Sequence, residues 1–87
     1  MEGRKIILND GTELEGGEAG YAQGFLWVYL YELSMIQAAT LFLDPEKTEK
    51  IIFQYGEMRD EWEGFTKCIN INIDVDGRLS VCMTREG

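Results

Sequence analysis

Histidine is absent from this 87-residue chain, and cysteine and serine occur only twice each. Catalytic triads and zinc sites are built largely from these residue types, so most of them are excluded by counting. The sequence therefore predicts a protein that is not an enzyme and that holds no metal or other cofactor.

Positive charge is also scarce, with 8 Lys and Arg against 16 Asp and Glu and a formal net charge of −8. Nucleic acids and anionic membranes attract clustered cations, so direct binding to either is not expected. The apolar window Phe25 to Leu43 is interrupted by Glu32, Ser34 and Gln37, and no basic segment opens the chain. These features predict no membrane span and no signal peptide, and hence a cytoplasmic protein with reduced thiols.

What remains is the composition of one small globular domain over residues 1–87. Hydrophobic residues make up 45 % of the chain, charged residues 28 %, and there is one proline. Such a chain forms a core but buries only about 60 to 68 % of its unfolded surface. A large enclosed active site is therefore excluded.

Apolar alternation and turn residues predict an α+β fold, with five to six strands in the order ββ-β-α-βββ and one short helix on a face of a mostly antiparallel sheet. The predicted strands span about 4–9, 12–16, 25–31, 50–55 and 61–75, the last of them long or broken. Residues 16–24 are rich in glycine, which predicts a loop or an irregular continuation of a strand.

One helix is predicted over about 35–43. Ser34 and Gln37 match a capping box, and Asp44-Pro45 ends the helix because proline disfavours helical geometry in the residue before it. In this helix Ile36, Ala39 and Leu43 are predicted to face the core.

The last hairpin allows a choice of register. A three-residue loop, Val75 to Gly77, keeps apolar residues opposite one another, whereas a two-residue loop mixes polar with apolar. The first register pairs Ile73 with Leu79, Ile71 with Val81 and Ile69 with Met83. It sets Cys68 and Cys82 diagonally on one face, too far apart for an unstrained disulfide.

An aromatic row is the strongest signal in the sequence. Along the predicted strand 25–31, alternate residues form an aliphatic face and an aromatic face. The aliphatic face is Leu26, Val28 and Leu30, and the aromatic face is Phe25, Trp27, Tyr29 and Tyr31. One helix covers one face only, so the sheet either folds over to bury the row or exposes it to a partner.

A second candidate surface is acidic. Glu57, Asp60, Glu61 and Glu63 crowd around Trp62 in what is predicted to be a connection over 56–60 and the start of the next strand. Paired carboxylates can act as acid and base when burial separates their pKa values, but these lie in polar sequence beside no evident pocket. A solvated acidic rim explains them better than a hydrolase does.

Several short motifs resemble a group of small, uncharacterised proteins encoded by phages and prophages of Gram-positive bacteria. They span most of the chain and lie at Ile6 to Glu15, Leu41 to Thr48, Tyr55 to Glu57, Glu63 to Lys67 and Val75 to Arg85. None is a catalytic signature. The resemblance implies a phage accessory protein of the bacterial host cytosol or the virion.

Three hypotheses of function follow. The leading one is a non-enzymatic protein-protein interaction or structural module that binds a host or phage protein or forms a homo-oligomer. The second is an acidic inhibitor that occupies a basic nucleic-acid groove of a host protein, as anti-CRISPR proteins do. The third is a hydrolase using the carboxylates of residues 57–63. Salt separates the first two, since binding between opposite charges weakens steeply as salt rises.

Overall fold

A computed structural model describes residues 3–85 as eight strands and two helices. The strands are β1 Arg4–Leu8, β2 Glu13–Glu15, β3 Glu18–Ala22, β4 Phe25–Leu30, β5 Lys50–Tyr55, β6 Met58–Glu63, β7 Lys67–Ile73 and β8 Leu79–Thr84; the helices are α1 Met35–Phe42 and α2 Pro45–Thr48. The predicted α+β class is confirmed. The strand count and order differ, because two antiparallel sheets replace the single predicted sheet.

Each sheet has four strands. Sheet A has the order β2-β1-β5-β6, and sheet B has the order β3-β4-β8-β7. The chain passes from sheet A to sheet B at Gly16-Gly17, where a Cβ on Gly17 would lie 2.9 Å from Ile6 Cγ1 and 3.0 Å from Leu30 Cδ2. Only glycine leaves room for this crossing, after which the glycine-rich segment continues as the regular strand β3. Of the two predictions for residues 16–24, the continuation of a strand is the correct one.

A single core joins both sheets to α1. Its buried side chains are Ile6, Leu8 and Ile51 from sheet A, Leu26, Val28, Leu30, Leu79, Val81 and Met83 from sheet B, Ala38 and Phe42 from α1, and Phe65 from the segment between β6 and β7. None of the helices among residues 3–85 combines the length and apolar character that crossing a membrane requires.

Helix α1 begins as predicted. The Ser34 hydroxyl accepts a hydrogen bond from the Gln37 amide at 3.1 Å, and the Gln37 side chain accepts one from the Ser34 amide at 2.9 Å. The predicted orientation of the helix is wrong: Ile36 is 79 % exposed and Leu43 60 %, while Ala38 and Phe42 enter the core. Apolar residues surround this helix, so its sequence pattern does not identify the buried face.

The capping box yields a first prediction. Replacing Ser34 with alanine leaves an amide at the helix start without its acceptor, and we expect the free energy of unfolding to fall by about 0.5 to 2 kcal/mol. Urea denaturation measures this loss. Ser34→Asp, which keeps an acceptor, should restore most of it; equal losses in the two variants would show that the cap does not stabilise the helix.

The segment after β5 contains one more strand than predicted. The connection is only Gly56-Glu57, and residues 58–60, assigned by the sequence to the connection, belong to β6. The predicted strand 61–75 is broken at residues 64–66, where Gly64 has a φ of 84°. Phe65 at this break is buried in the core, which explains why the chain interrupts the strand there.

The β7–β8 hairpin has the predicted loop. Ile73 pairs with Leu79 and Ile71 with Val81, and Gly77 has the left-handed φ of 82° that this loop needs. The third predicted pair is wrong. A bulge between Cys68 and Asn70 leaves Ile69 out of the ladder, so that Cys68 pairs with Met83.

Candidate interaction surface

The aromatic row lies on the face of β4 opposite the core. Leu26, Val28 and Leu30 are between 0 and 2 % exposed, whereas the residues between them are exposed or half-buried. Phe25 is 36 % exposed and Tyr31, just beyond the strand, 44 %; Trp27 and Tyr29 are half-buried. We call Phe25, Trp27, Tyr29 and Tyr31 the aromatic face.

Neighbouring strands determine which face of β4 is buried. On the core side, Leu26, Val28 and Leu30 pair across β8 with Met83, Val81 and Leu79, and all of these are buried. On the other side Tyr29 lies between Ser80 of β8 and Glu18 of β3. Residues directly opposite in an antiparallel pair share a face, so polar neighbours place the aromatic residues on the outer surface.

Contacts within the aromatic face hold its rings in place. The ring centroids of Phe25 and Trp27 are 6.3 Å apart. The Arg78 guanidinium lies 4.5 Å from the centroid of the Tyr29 ring and donates to the Asp74 carboxylate at 3.0 Å. These contacts restrict the Phe25, Trp27 and Tyr29 rings within the free chain.

Asp74 stabilises the hairpin that carries Arg78. Partial burial raises the pKa of the Asp74 carboxyl, but the amides of Arg78 and Asp76 and the Arg78 guanidinium donate to the carboxylate, and their combined effect holds that pKa below its ordinary value. The stretch Asn72 to Gly77 has the N-x-D-x-D-G spacing of the first half of a calcium-binding loop, but Met83 stands where such a loop has its bidentate Glu. Here the Asp74 oxygens accept hydrogen bonds of the turn.

Small side chains flank the aromatic face and keep it open. On β3, Gly20 lies opposite Trp27, and a Cβ at Gly20 would meet no atom within 4 Å. Across β8, the exposed Asn70 and Asn72 of β7 continue the same outer surface. The outer face of sheet B thus combines the partly exposed rings with Asn70, Asn72 and the charged Glu18 and Arg78 at its margins.

The predicted acidic group is divided between the two faces of β6 and its hairpin. Trp62 pairs with Ile51 and packs against the core, and Asp60 lies opposite Phe53 on the same side of sheet A. Glu61 and Glu63 alternate with them and point away from the core. Glu57 lies in the hairpin turn. The structure therefore does not bring these residues together as one cluster.

Cations are interleaved with the acidic residues on the outer face of sheet A. Glu61 lies 3.1 Å from Arg59 Nε, and Glu13 lies 3.1 Å from Lys5 Nζ. Glu63 is opposite Lys50. This alternation reduces the net field above sheet A, so this face presents neither a continuous acidic strip nor a buried pair of carboxylates.

The two cysteines are on opposite faces of sheet B, which corrects the prediction that they share one. Cys68 packs against the core, and Cys82 lies on the outer side between Trp27 and Asn70. Both thiols are free, and burial raises the pKa of each. Over residues 3–85, no group of three or more His, Cys, Asp or Glu side chains could hold a metal ion.

One exposed apolar region was missed by the sequence analysis. The outer side of α1 has a shallow pocket lined by Leu33, Ile36, Gln37, Thr40 and Leu41. The sequence does contain a signal for this region. Apolar residues surround α1, and because a short helix on a sheet buries only one side, some of them must be exposed.

Comparison with known proteins adds no further assignment: the chain matches no protein-family model, no curated protein and no solved structure.

Proposed function

We propose that the chain is a non-enzymatic protein-binding module whose interface is the aromatic face of sheet B. Consistent with the motif resemblance, the biological role proposed is that of a phage or prophage accessory protein acting on a host or phage partner.

The observation that carries this proposal is the outward position of Trp27 and Tyr29, on the side of β4 opposite the core. Tyrosine and tryptophan supply a large share of the binding energy at protein interfaces, because they bury much area while fixing few torsions. A surface row of four aromatic residues has no role in the core of this domain. A partner that covers it would remove apolar area from water.

The aromatic contacts also support a particular chemistry for the proposed partner surface. Rings restricted by Arg78 and by one another favour a flat apolar patch with hydrogen-bond donors or acceptors at its edge for Asn70 and Asn72. Acidic residues paired with cations on sheet A support a charge-driven interface less well.

Salt dependence tests the proposal. The chain is immobilised, a bacterial lysate is passed over it, and the retained proteins are compared at about 50 mM and about 500 mM NaCl, where the screening length falls several-fold. We expect the same protein to be retained at both concentrations. Retention only at low salt would contradict an aromatic interface and indicate the acidic inhibitor instead.

A further inference from the structure

Strand β7 forms a border of sheet B; a bulge between Cys68 and Asn70 interrupts its first half and helix α1 packs against it, whereas Asn70 to Ile73 is regular. Among residues 3–85 the strand pairs with β8 alone, and it has 7 residues. From Cys68 to Ile73 it carries no charge and no proline. Long, uncharged edge strands are templates for pairing with another strand.

The other three sheet edges differ from β7. Strand β2 has only 3 residues, two of them glutamate. Strand β6 carries Arg59, Asp60, Glu61 and Glu63, and β3 carries Glu18 and the open Gly20. Short length, charge and glycine are the features by which natural edge strands avoid pairing. Within the described chain, the regular stretch of β7 beyond its bulge, Asn70 to Ile73, is therefore the edge segment best able to accept a strand.

The hairpin identifies the backbone groups that face this edge. The Asp74 amide donates to the Arg78 carbonyl at 2.9 Å, so the two residues occupy the position of a hydrogen-bonded pair, with one backbone bond because the Arg78 amide donates to the Asp74 carboxylate. Because such pairs alternate along an antiparallel ladder, Ile73 and Ile71 form non-hydrogen-bonded pairs with β8. Their amides and carbonyls point to the free edge, while Asn72, between them, is bonded to β8 and directs its side chain to the outer surface.

We propose that β7 pairs antiparallel with β7 of a second copy, about a twofold axis at Asn72. In this register Ile71 of each copy lies opposite Ile73 of the other, and four backbone hydrogen bonds form between the chains. The two Asn72 side chains meet on the outer surface. The exposed Ile73, 44 % accessible in the single chain, loses contact with water.

The local charge of the β7 hairpin favours a second copy as the occupant, although the net charge of the whole chain opposes it. The chain as a whole carries −8, so two copies repel each other. The segment 67–78 is locally neutral, because Lys67 and Arg78 balance Asp74 and Asp76. An antiparallel pairing brings the Lys67 end of one copy toward the Asp76 turn of the other. Opposite charges thus meet at both ends, whereas the same pairing centred on β2 would place Glu13 of each copy opposite Glu15 of the other.

The consequence of this pairing for partner binding rests on the proposed function, whereas the pairing itself does not. A twofold axis perpendicular to the sheet places both aromatic faces on the same side of a continuous eight-stranded sheet. The two β4 strands are then five strand spacings, about 24 Å, apart. Such a dimer would bind two copies of a partner surface, or one symmetric partner, with the gain of bivalency.

A charge-swap experiment tests the register. Asn72→Lys and Asn72→Asp each place like charges opposite each other at the axis, and we expect each to weaken self-association at least about tenfold in sedimentation equilibrium. An equimolar mixture of the two variants places opposite charges there and should restore the dimer. This rescue also shows that both variants are folded.

Asn70→Lys is the matched control. Asn70 is exposed on the same strand face, but its two copies would lie about 13 Å apart, so the dimer should persist. Tyr29→Ser should also remain dimeric while losing partner binding, which separates this inference from the proposed function. Any of four results would overturn the β7 pairing. These are a monomeric wild type, a dimer that survives both Asn72 variants, a mixture of the two variants that does not restore the dimer, and loss of the dimer in Tyr29→Ser.

Discussion

Replacing Phe42 with alanine is expected to lower the free energy of unfolding by about 3 to 5 kcal/mol. Phe42 is fully buried at the end of α1 and shares the core with residues of both sheets. Its removal leaves a cavity between three elements, and the short helix has few other buried residues to hold it in place. Because small domains have total stabilities of only about 5 to 15 kcal/mol, the variant should be largely unfolded well below the melting temperature of the wild type.

The neighbouring Leu43 provides the control. It is 60 % exposed, and substitutions at such positions usually change stability by less than about 0.5 kcal/mol. Chemical denaturation of Phe42→Ala and Leu43→Ala should therefore give very different midpoints. Similar midpoints would mean that α1 does not close the core through Phe42.

Replacing Tyr29 with serine is expected to weaken partner binding by about 2 kcal/mol, or about 30-fold, while the domain remains folded. Tyr29 lies near the centre of the aromatic face, and its truncation removes the ring that a partner would cover. The cost to the fold is smaller, because the stacking of Arg78 on this ring contributes about 0.5 to 1 kcal/mol at an exposed site.

Tyr55→Ser is the matched control for this experiment. Tyr55 is an exposed tyrosine at the end of β5 in sheet A, away from the aromatic face. Binding measured by calorimetry or surface plasmon resonance should be unchanged in this variant. Equal loss of affinity in the two variants would indicate that the interface is not confined to the aromatic face.

Local signals predicted much of the fold. The Ser34 cap and the loop ending at Gly77 depend on residues close together in sequence, and both are present. The helix face was mispredicted because Ile36 and Leu43 are as apolar as the residues that pack. In such a helix, which face is buried depends on where the surrounding sheets lie, and the local sequence pattern carries no information about that.

The division into two sheets depends on contacts between distant residues. At the crossing, the side chains of Ile6 and Leu30 both lie next to the position that a Cβ on Gly17 would occupy, and these two residues belong to different strands and different sheets. The bulge between Cys68 and Asn70 likewise shifts the third predicted pair of the hairpin by one residue, so that Cys68 pairs with Met83.

The candidate surface was identified from the sequence, but its exposure was left undecided. Both faces of β4 are apolar, and burial of the aliphatic face follows from its partners in β8. The alternation of Leu79 and Val81 with Ser80 carries that information, provided that β8 is known to pair with β4. That pairing joins strands on either side of α1, and no local pattern specifies it.

The most direct test of the aromatic interface is hydroxyl-radical footprinting of the free and partner-bound protein. The chain has two tryptophans, Trp27 on the aromatic face and Trp62 on β6, and both are half-buried in the free protein. An aromatic interface predicts that partner binding protects Trp27 and Tyr29 from oxidation and leaves Trp62 unchanged. Protection confined to Trp62 and its acidic neighbours, with Trp27 still reactive, would contradict it.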